Sequence, residues 1–163
     1  MGSEMCIRDR IYNILQTLDT DTRISRRKKL SKDKIDGLLN TPPEKRSAYS
    51  YSQIAESEEI WTLWEPKGLT EFSIKNEAAI FVWPHEEFVI NFSKQLSQNL
   101  DYKTIPIPMN DFIVEILFYK ASEYLLGIFP TVPNEKAIIH SPEEFLMSLK
   151  HEISRYNPDN LIL

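Results

Sequence analysis

The hexapeptide Trp-Pro-His-Glu-Glu-Phe at residues 83–88 constrains the fold more than any other segment, because it ends an apolar run and opens a helix in one step. The run Ala78–Trp83 is rich in branched and aromatic residues and predicts a strand. Pro84 cannot donate a ladder hydrogen bond, and its fixed φ suits the start of a helix. Apolar residues at helical spacing follow it: Phe88, Val89, Phe92 and Leu96. We therefore expect a helix that packs against the sheet it leaves.

Two further segments of similar composition precede this strand, at Glu59–Trp64 and Leu69–Ile74. The loops between the three segments are short, which favours an antiparallel meander. Two more strands are predicted at Tyr124–Phe129 and Lys136–His140, joined as a hairpin. The segment Lys103–Ile107 alternates apolar and polar residues but contains a proline, so it is expected at a sheet edge or as an extended connection.

Helices are predicted from their N-terminal residues. Thr41-Pro42-Pro43-Glu44 and Ser141-Pro142-Glu143-Glu144 each combine a capping hydroxyl, a proline in the first turn and a later glutamate. The first predicts a helix from about Pro42 to about Glu56, and a further helix is expected from Asp111 to about Ser122. We therefore predict an α+β domain of two layers, in which helices cover one face of a mainly antiparallel sheet built from a meander plus a hairpin.

The chain divides into a leader, one domain and a short tail. Residues 30–157 are expected to form a single globular α+β domain, and residues 158–163 a tail. Gly2–Asp9 reads as the translation of a sequencing-library adapter, so residues 1–29 are expected to be artefactual or disordered. Cys6 is the one cysteine of the chain, so under this hypothesis the authentic protein has none, which excludes disulfides, thiolate metal ligands and a cysteine nucleophile.

The composition is that of an ordinary globular protein, with 42% hydrophobic and 26% charged residues. No apolar stretch approaches the roughly 20 residues that cross a bilayer, so no membrane span is expected. The amino end lacks the ordered parts of a secretion signal. These observations predict a cytoplasmic protein.

Charge is divided unevenly along the chain. Residues 1–50 hold 11 basic and 7 acidic residues, whereas residues 51–163 hold 8 and 17. The basic run Arg26–Lys29 would suit a nucleic-acid arm, because clustered cations release counterions from phosphates. However, no aromatic residues interleave the run and the body behind it is acidic. We therefore predict that nucleic acid is not a partner.

His85 is the candidate for chemistry. The positive end of the predicted helix disfavours its protonation, and a neutral imidazole can act as a base or a ligand, with Glu86 beside it. The same residues also serve as an ordinary first helical turn, which is the preferred interpretation. No local spacing brings His140 or His151 to His85, so no metal site is predicted. With 4 glycines there is no phosphate-cradling loop, and no cofactor is predicted.

The tryptophans are candidates for binding. Trp61 and Trp64 have opposite parity along one strand, so they face opposite sides of the sheet. If helices bury one side, one of the two is exposed or lies in an interface. Together with Trp83 and His85, they form the predicted binding residues, and core packing is the alternative.

Several segments resemble the bacterial family catalogued as domain of unknown function 2750, over about Leu30 to Tyr156. The resemblance implies a fold family and no activity. The segments that carry it are Glu44-Lys45-Arg46, Glu59-Ile60-Trp61, Gly68, Trp83-Pro84-His85, Phe112, Gly127, Phe129-Pro130 and Ser141-Pro142-Glu143-Glu144.

Two functions follow as hypotheses. The first is a small cytoplasmic module that binds or regulates a protein partner without catalysis, for example by neutralising a toxin, or that pairs with a second copy of itself. The alternative is a hydrolase-like enzyme for a small molecule, centred on His85 and Glu86.

Overall fold

The computed structural model of the chain describes residues 29–66, 68–96, 101–117, 124–132 and 137–156. Nearly all of the leader and the whole predicted tail lie outside these ranges. The helices are α1 (Lys32–Leu39), α2 (Pro43–Ser57), α3 (Glu86–Ser93), α4 (Met109–Asp111), which continues into a π-helix (Phe112–Leu117), and α5 (Pro142–Tyr156). The strands are β1 (Glu59–Glu65), β2 (Gly68–Leu69), β3 (Glu71–Ile74), β4 (Glu77–Val82), β5 (Lys103–Pro108), β6 (Leu125–Ile128) and β7 (Ile138–His140).

The strands form two sheets, with the orders β2-β1-β5 and β3-β4-β6-β7. All neighbours are antiparallel except β4 and β6, which are parallel. An isolated antiparallel bridge joins the sheets, since Trp61 and Trp83 exchange backbone hydrogen bonds of 3.0 and 2.9 Å. The predicted α+β class and mainly antiparallel pairing are confirmed.

The meander differs from the prediction because one expected strand is divided. Leu69–Ile74 was predicted as a single strand, but Thr70 separates β2 from β3, and the two belong to different sheets. The Thr70 N–H donates to Leu63 O at 3.0 Å, so the chain stays beside β1 for one residue before it crosses to β4. Strand β2, which lies at the edge of its sheet, is therefore short, as edge strands commonly are.

Strand β4 is buried on both faces. The five consecutive residues Ala79–Trp83 are each at most 7% exposed. Since successive side chains point to opposite sides of a strand, their burial requires cover on both. On one face, Phe81 and Trp83 pack against Phe92 of α3, with ring centroids 5.7 and 5.2 Å apart.

Helices α2 and α5 cover the opposite face. Ile80 pairs with Leu126 and Leu126 with His140, so these three side chains share the face that Phe81 does not occupy. The His140 ring stacks on Tyr51 of α2, and both α2 and α5 contact β6 and β7. Strand β4, which is apolar at every central position, is thus covered by α3 on one face and by α2 and α5 on the other.

Gly127 allows the parallel strands to approach closely. A Cβ at this position would lie 2.5 Å from Cδ1 of Phe81, which is nearer than real Cβ contacts come. The glycine in β6 thus leaves the space that the Phe81 ring occupies. Phe81 in turn stacks on Phe72 of β3 at 4.2 Å between ring centroids.

Two helix starts differ in detail from the sequence prediction. Thr41 was expected to cap α2, but the N-cap position is Pro42, and the Thr41 hydroxyl donates to Gly37 O at 2.7 Å instead. The helix predicted at Asp111 begins earlier, at Met109, whose N–H donates to Glu58 O. Residues 118–123 of that predicted helix lie outside the described ranges. Within those ranges, no helix is long and apolar enough to span a membrane.

Candidate functional site

The Trp-Pro-His turn is built from buried contacts at its start. Trp83 is fully buried, and its indole Nε1–H donates to Pro130 O at 2.8 Å. Helix α3 begins at Glu86, so His85 is its N-cap residue in extended conformation rather than part of its first turn. The extended backbone of the turn, and not helical geometry, therefore sets the position of the imidazole.

His85 is held by a tyrosine of α2. Its Nε2 lies 2.8 Å from the Tyr49 hydroxyl. Burial lowers the pKa of His85 below its ordinary value of 6.5; the Glu87 carboxylate opposes this shift and the Lys34 ammonium adds to it. Burial also raises the pKa of Tyr49. The Tyr49 hydroxyl and the His85 imidazole therefore form a hydrogen bond between two uncharged groups near neutral pH.

Glu86 takes part in a different contact. Its Oε1 accepts a hydrogen bond from the Thr104 hydroxyl of β5 at 3.2 Å. The neighbouring Glu87 accepts from the Leu30 backbone N–H at 3.3 Å. His85 and Glu86 were predicted to act together as the alternative catalytic centre. In the structure, the polar atoms of the two side chains bond to different partners.

The three tryptophans are buried to different extents. Trp61 is 4% exposed and Trp83 fully buried, so both belong to the core. Trp64 is half-buried at the outer end of β1, where it pairs with Leu69. The indoles of Trp61 and Trp83 are therefore not surfaces for a partner in this conformation. A binding role for the tryptophans stays a prediction, and it falls on Trp64.

A second candidate site is a groove between α2 and α5, which the sequence did not indicate. It is open to solvent and has a volume of about 530 Å³. Helix α2 contributes side chains at positions 44, 47, 48 and 51, which lie on one helical face. The lining of the groove includes Glu44, Ala48, Tyr51, His140, Met147 and His151.

Tyr51 and His140 form the floor of this groove. The Tyr51 hydroxyl lies 2.5 Å from Nδ1 of His140, and the rings stack with centroids 5.7 Å apart. Burial raises the pKa of Tyr51, although a hydrogen bond with Ser148 opposes the shift, and the Glu144 carboxylate adds to it. Tyr51 thus keeps its proton, and its hydroxyl forms a hydrogen bond with Nδ1 of His140.

The start of α5 fixes His140 in place. Ser141 and Glu144 form the predicted reciprocal cap: each backbone N–H donates to the other side chain at 3.2 Å. These bonds, and the nearby His140, lower the pKa of Glu144. Since Ser141 follows His140 directly, the cap sets the point at which the chain leaves β7 for α5.

The groove combines an apolar rim with carboxylates. Met147 is 73% exposed on α5. Glu44 is exposed on α2, while Glu152 on α5 bonds to Arg155 at 3.4 Å. Among the described residues that line the groove there is no lysine or arginine. Nor do any three or more His, Cys, Asp or Glu residues of the described chain form a group that could hold a metal ion.

Three of the segments that carry the family resemblance meet in a buried cluster behind the turn: those of Arg46, of Trp83 and of Phe129-Pro130. Arg46 is 1% exposed; its Nε donates to Phe129 O at 3.2 Å and its Nη1 to Thr41 O at 2.6 Å. Phe129 has a positive φ of 51°, which is costly for a bulky residue, and its ring packs on Phe88 at 4.4 Å. With Trp83 bonded to Pro130, these contacts hold the residue 129–130 loop against the junction.

The fold and the two histidine sites define an α+β domain in which one helix, α2, contacts a histidine on each of two sides. The chain belongs to the family described as Protein of unknown function (DUF2750), whose model matches residues 47–149. No curated protein and no solved structure gives a significant match.

Proposed function

We propose that this protein is a non-catalytic module that binds a protein partner in the groove between α2 and α5. The observation that carries the proposal is the form of the groove: about 530 Å³, open to solvent, with Met147 73% exposed on its rim. An exposed methionine beside a groove is typical of surfaces that bind polypeptides, because its flexible side chain adapts to different partners.

The enzymatic alternative has less support. Catalytic sites generally exclude water around the reacting groups, and this groove is open. At the other site, His85 is bonded to Tyr49 and Glu86 to Thr104. A regulatory role in the bacterial cytoplasm, such as neutralising a toxin, belongs to the proposal, and the partner is either another protein or a second copy of this chain.

Capture from the native host tests the proposal. The bait is the full chain, and the groove variant is Ala48→Arg, which places a long side chain at an exposed lining position of α2. The matched control is Gly37→Arg on α1, where an added Cβ meets nothing within 4 Å. We expect a stoichiometric partner that is retained by wild type and Gly37→Arg and lost from Ala48→Arg.

Two other outcomes reject this surface. A partner that is retained by Ala48→Arg but lost from Trp64→Ala would move the interface to the outer end of β1. The absence of any stoichiometric partner, together with no self-association of the purified chain, would reject the binding module and favour a search for activity at His85.

A further inference from the structure

The groove has a charge and shape that select the chemistry of its occupant. Glu44 and Glu152 place carboxylates on the two helices that border it, and the described residues that line it include no lysine or arginine. Glu152 already bonds to Arg155, whereas Glu44 is exposed at the first turn of α2. The carboxylate that faces an incoming ligand is therefore that of Glu44. A cationic side chain is its natural partner.

Apolar contact is available beside this carboxylate. Met147 is largely exposed on α5, and Ala48 is exposed on α2 one turn after Glu44. An occupant with a lysine or arginine next to an apolar side chain could bind the Glu44 carboxylate on α2 and pack against Met147 on α5 at the same time. An acidic occupant would be repelled by Glu44 and by the surplus of acidic residues in the chain from residue 51 onward.

We propose that the groove binds a partner segment that carries a lysine or arginine beside an apolar residue. The inference rests on the proposed function and adds to it the partner's chemistry.

A display library tests the partner chemistry without knowledge of the partner. Random twelve-residue peptides are selected in parallel against the full chain and against Ala48→Arg at pH 8. We expect peptides enriched on wild type alone to combine lysine or arginine with leucine, isoleucine, phenylalanine or methionine. Groove-dependent enrichment of acidic peptides, or no enrichment over Ala48→Arg, would overturn the inference.

The two levels of the proposal fail separately. If host capture yields a partner that Ala48→Arg abolishes while the library selects acidic peptides, the binding module stands and its partner chemistry is wrong. If neither experiment gives groove-dependent binding, the proposed function itself is rejected.

Discussion

Tyr49 and Tyr51 lie two residues apart on α2, each hydrogen bonded to a histidine from a distant part of the chain, yet the two pairs have different surroundings. Two residues correspond to about 200° of helix rotation, so the hydroxyls leave the helix on nearly opposite sides. Tyr49 reaches His85 at the junction of β4 and α3, whereas Tyr51 reaches His140 at the end of β7.

The difference lies in what each histidine faces beyond its tyrosine. His85 lies between Lys34 and Glu87, on the side of α2 near Leu30 and α3. His140 lies on the floor of an open groove with Ser148 and His151. One pair fastens α2 to the junction, and the other lies on a groove that is open to solvent. The same tyrosine–histidine contact thus occurs in a closed setting and in an open one.

The largest loss of stability is expected from removing the buried indole at the junction of β4 and α3. Trp83→Ala deletes a fully buried indole and its bond to Pro130 O, so the free energy of unfolding should fall by about 3–5 kcal/mol. Trp64→Ala, at a half-buried position, should cost clearly less. Denaturant titration of both variants measures the difference, and equal losses would contradict the assignment of Trp83 to the core.

The second effect compares the pairs directly. Tyr51→Phe removes the buried hydroxyl that bonds to Nδ1 of His140 and should lower the free energy of unfolding by about 1–3 kcal/mol. Tyr49 is half-buried, so Tyr49→Phe should cost about 0.5–1.5 kcal/mol. Chemical denaturation ranks the two variants. A greater loss for Tyr49→Phe would reverse the roles given to the pairs.

A third effect concerns the start of α5. Ser141→Ala removes the side-chain acceptor for the Glu144 N–H and should cost about 1 kcal/mol. Because Ser141 adjoins His140, the change should also disturb the Tyr51–His140 bond and leave Tyr49–His85 intact. Imidazole resonances in NMR spectra can report both pairs. Disturbance of His85 alone would refute this separation.

The smallest effect is a pH dependence of stability. Above pH 6.5, His85 is neutral in both the folded and the unfolded chain. As the pH falls below 6.5, the unfolded chain binds the proton first, because burial lowers the pKa in the folded state. Stability should therefore decrease from about pH 6.5 until the pH passes the lower folded pKa. His85→Asn should flatten this part of the profile, and an unchanged slope would assign it to other groups.

The sequence was sufficient for elements whose signals are local. The reciprocal cap of Ser141 and Glu144 was predicted and is present, because it depends on residues three apart. The strand at Ala78–Trp83 was predicted as well, but its burial on both faces depends on which helices return to it. The division at Thr70 depends likewise on a contact with Leu63, which composition does not reveal.

The groove could not be found by the same means. Tyr51 and His140 are 89 residues apart, and neither spacing nor composition links them. Conversely, His85 and Glu86 are adjacent in sequence, which suggested a chemical pair, although an N-cap residue and the first helical residue direct their side chains differently. Local patterns thus identified the junction, while the open site depends on how α2 and α5 meet.

The unequal burial of the three tryptophans gives the protein its own optical probes. Trp61 and Trp83 lie in the core at the bridge between the sheets, and Trp64 is partly exposed at the outer end of β1. A collisional quencher in the solvent should reach Trp64 first, so the emission that survives quenching comes mainly from the bridge. Changes in that surviving emission would then follow the separation of the two sheets without any added label.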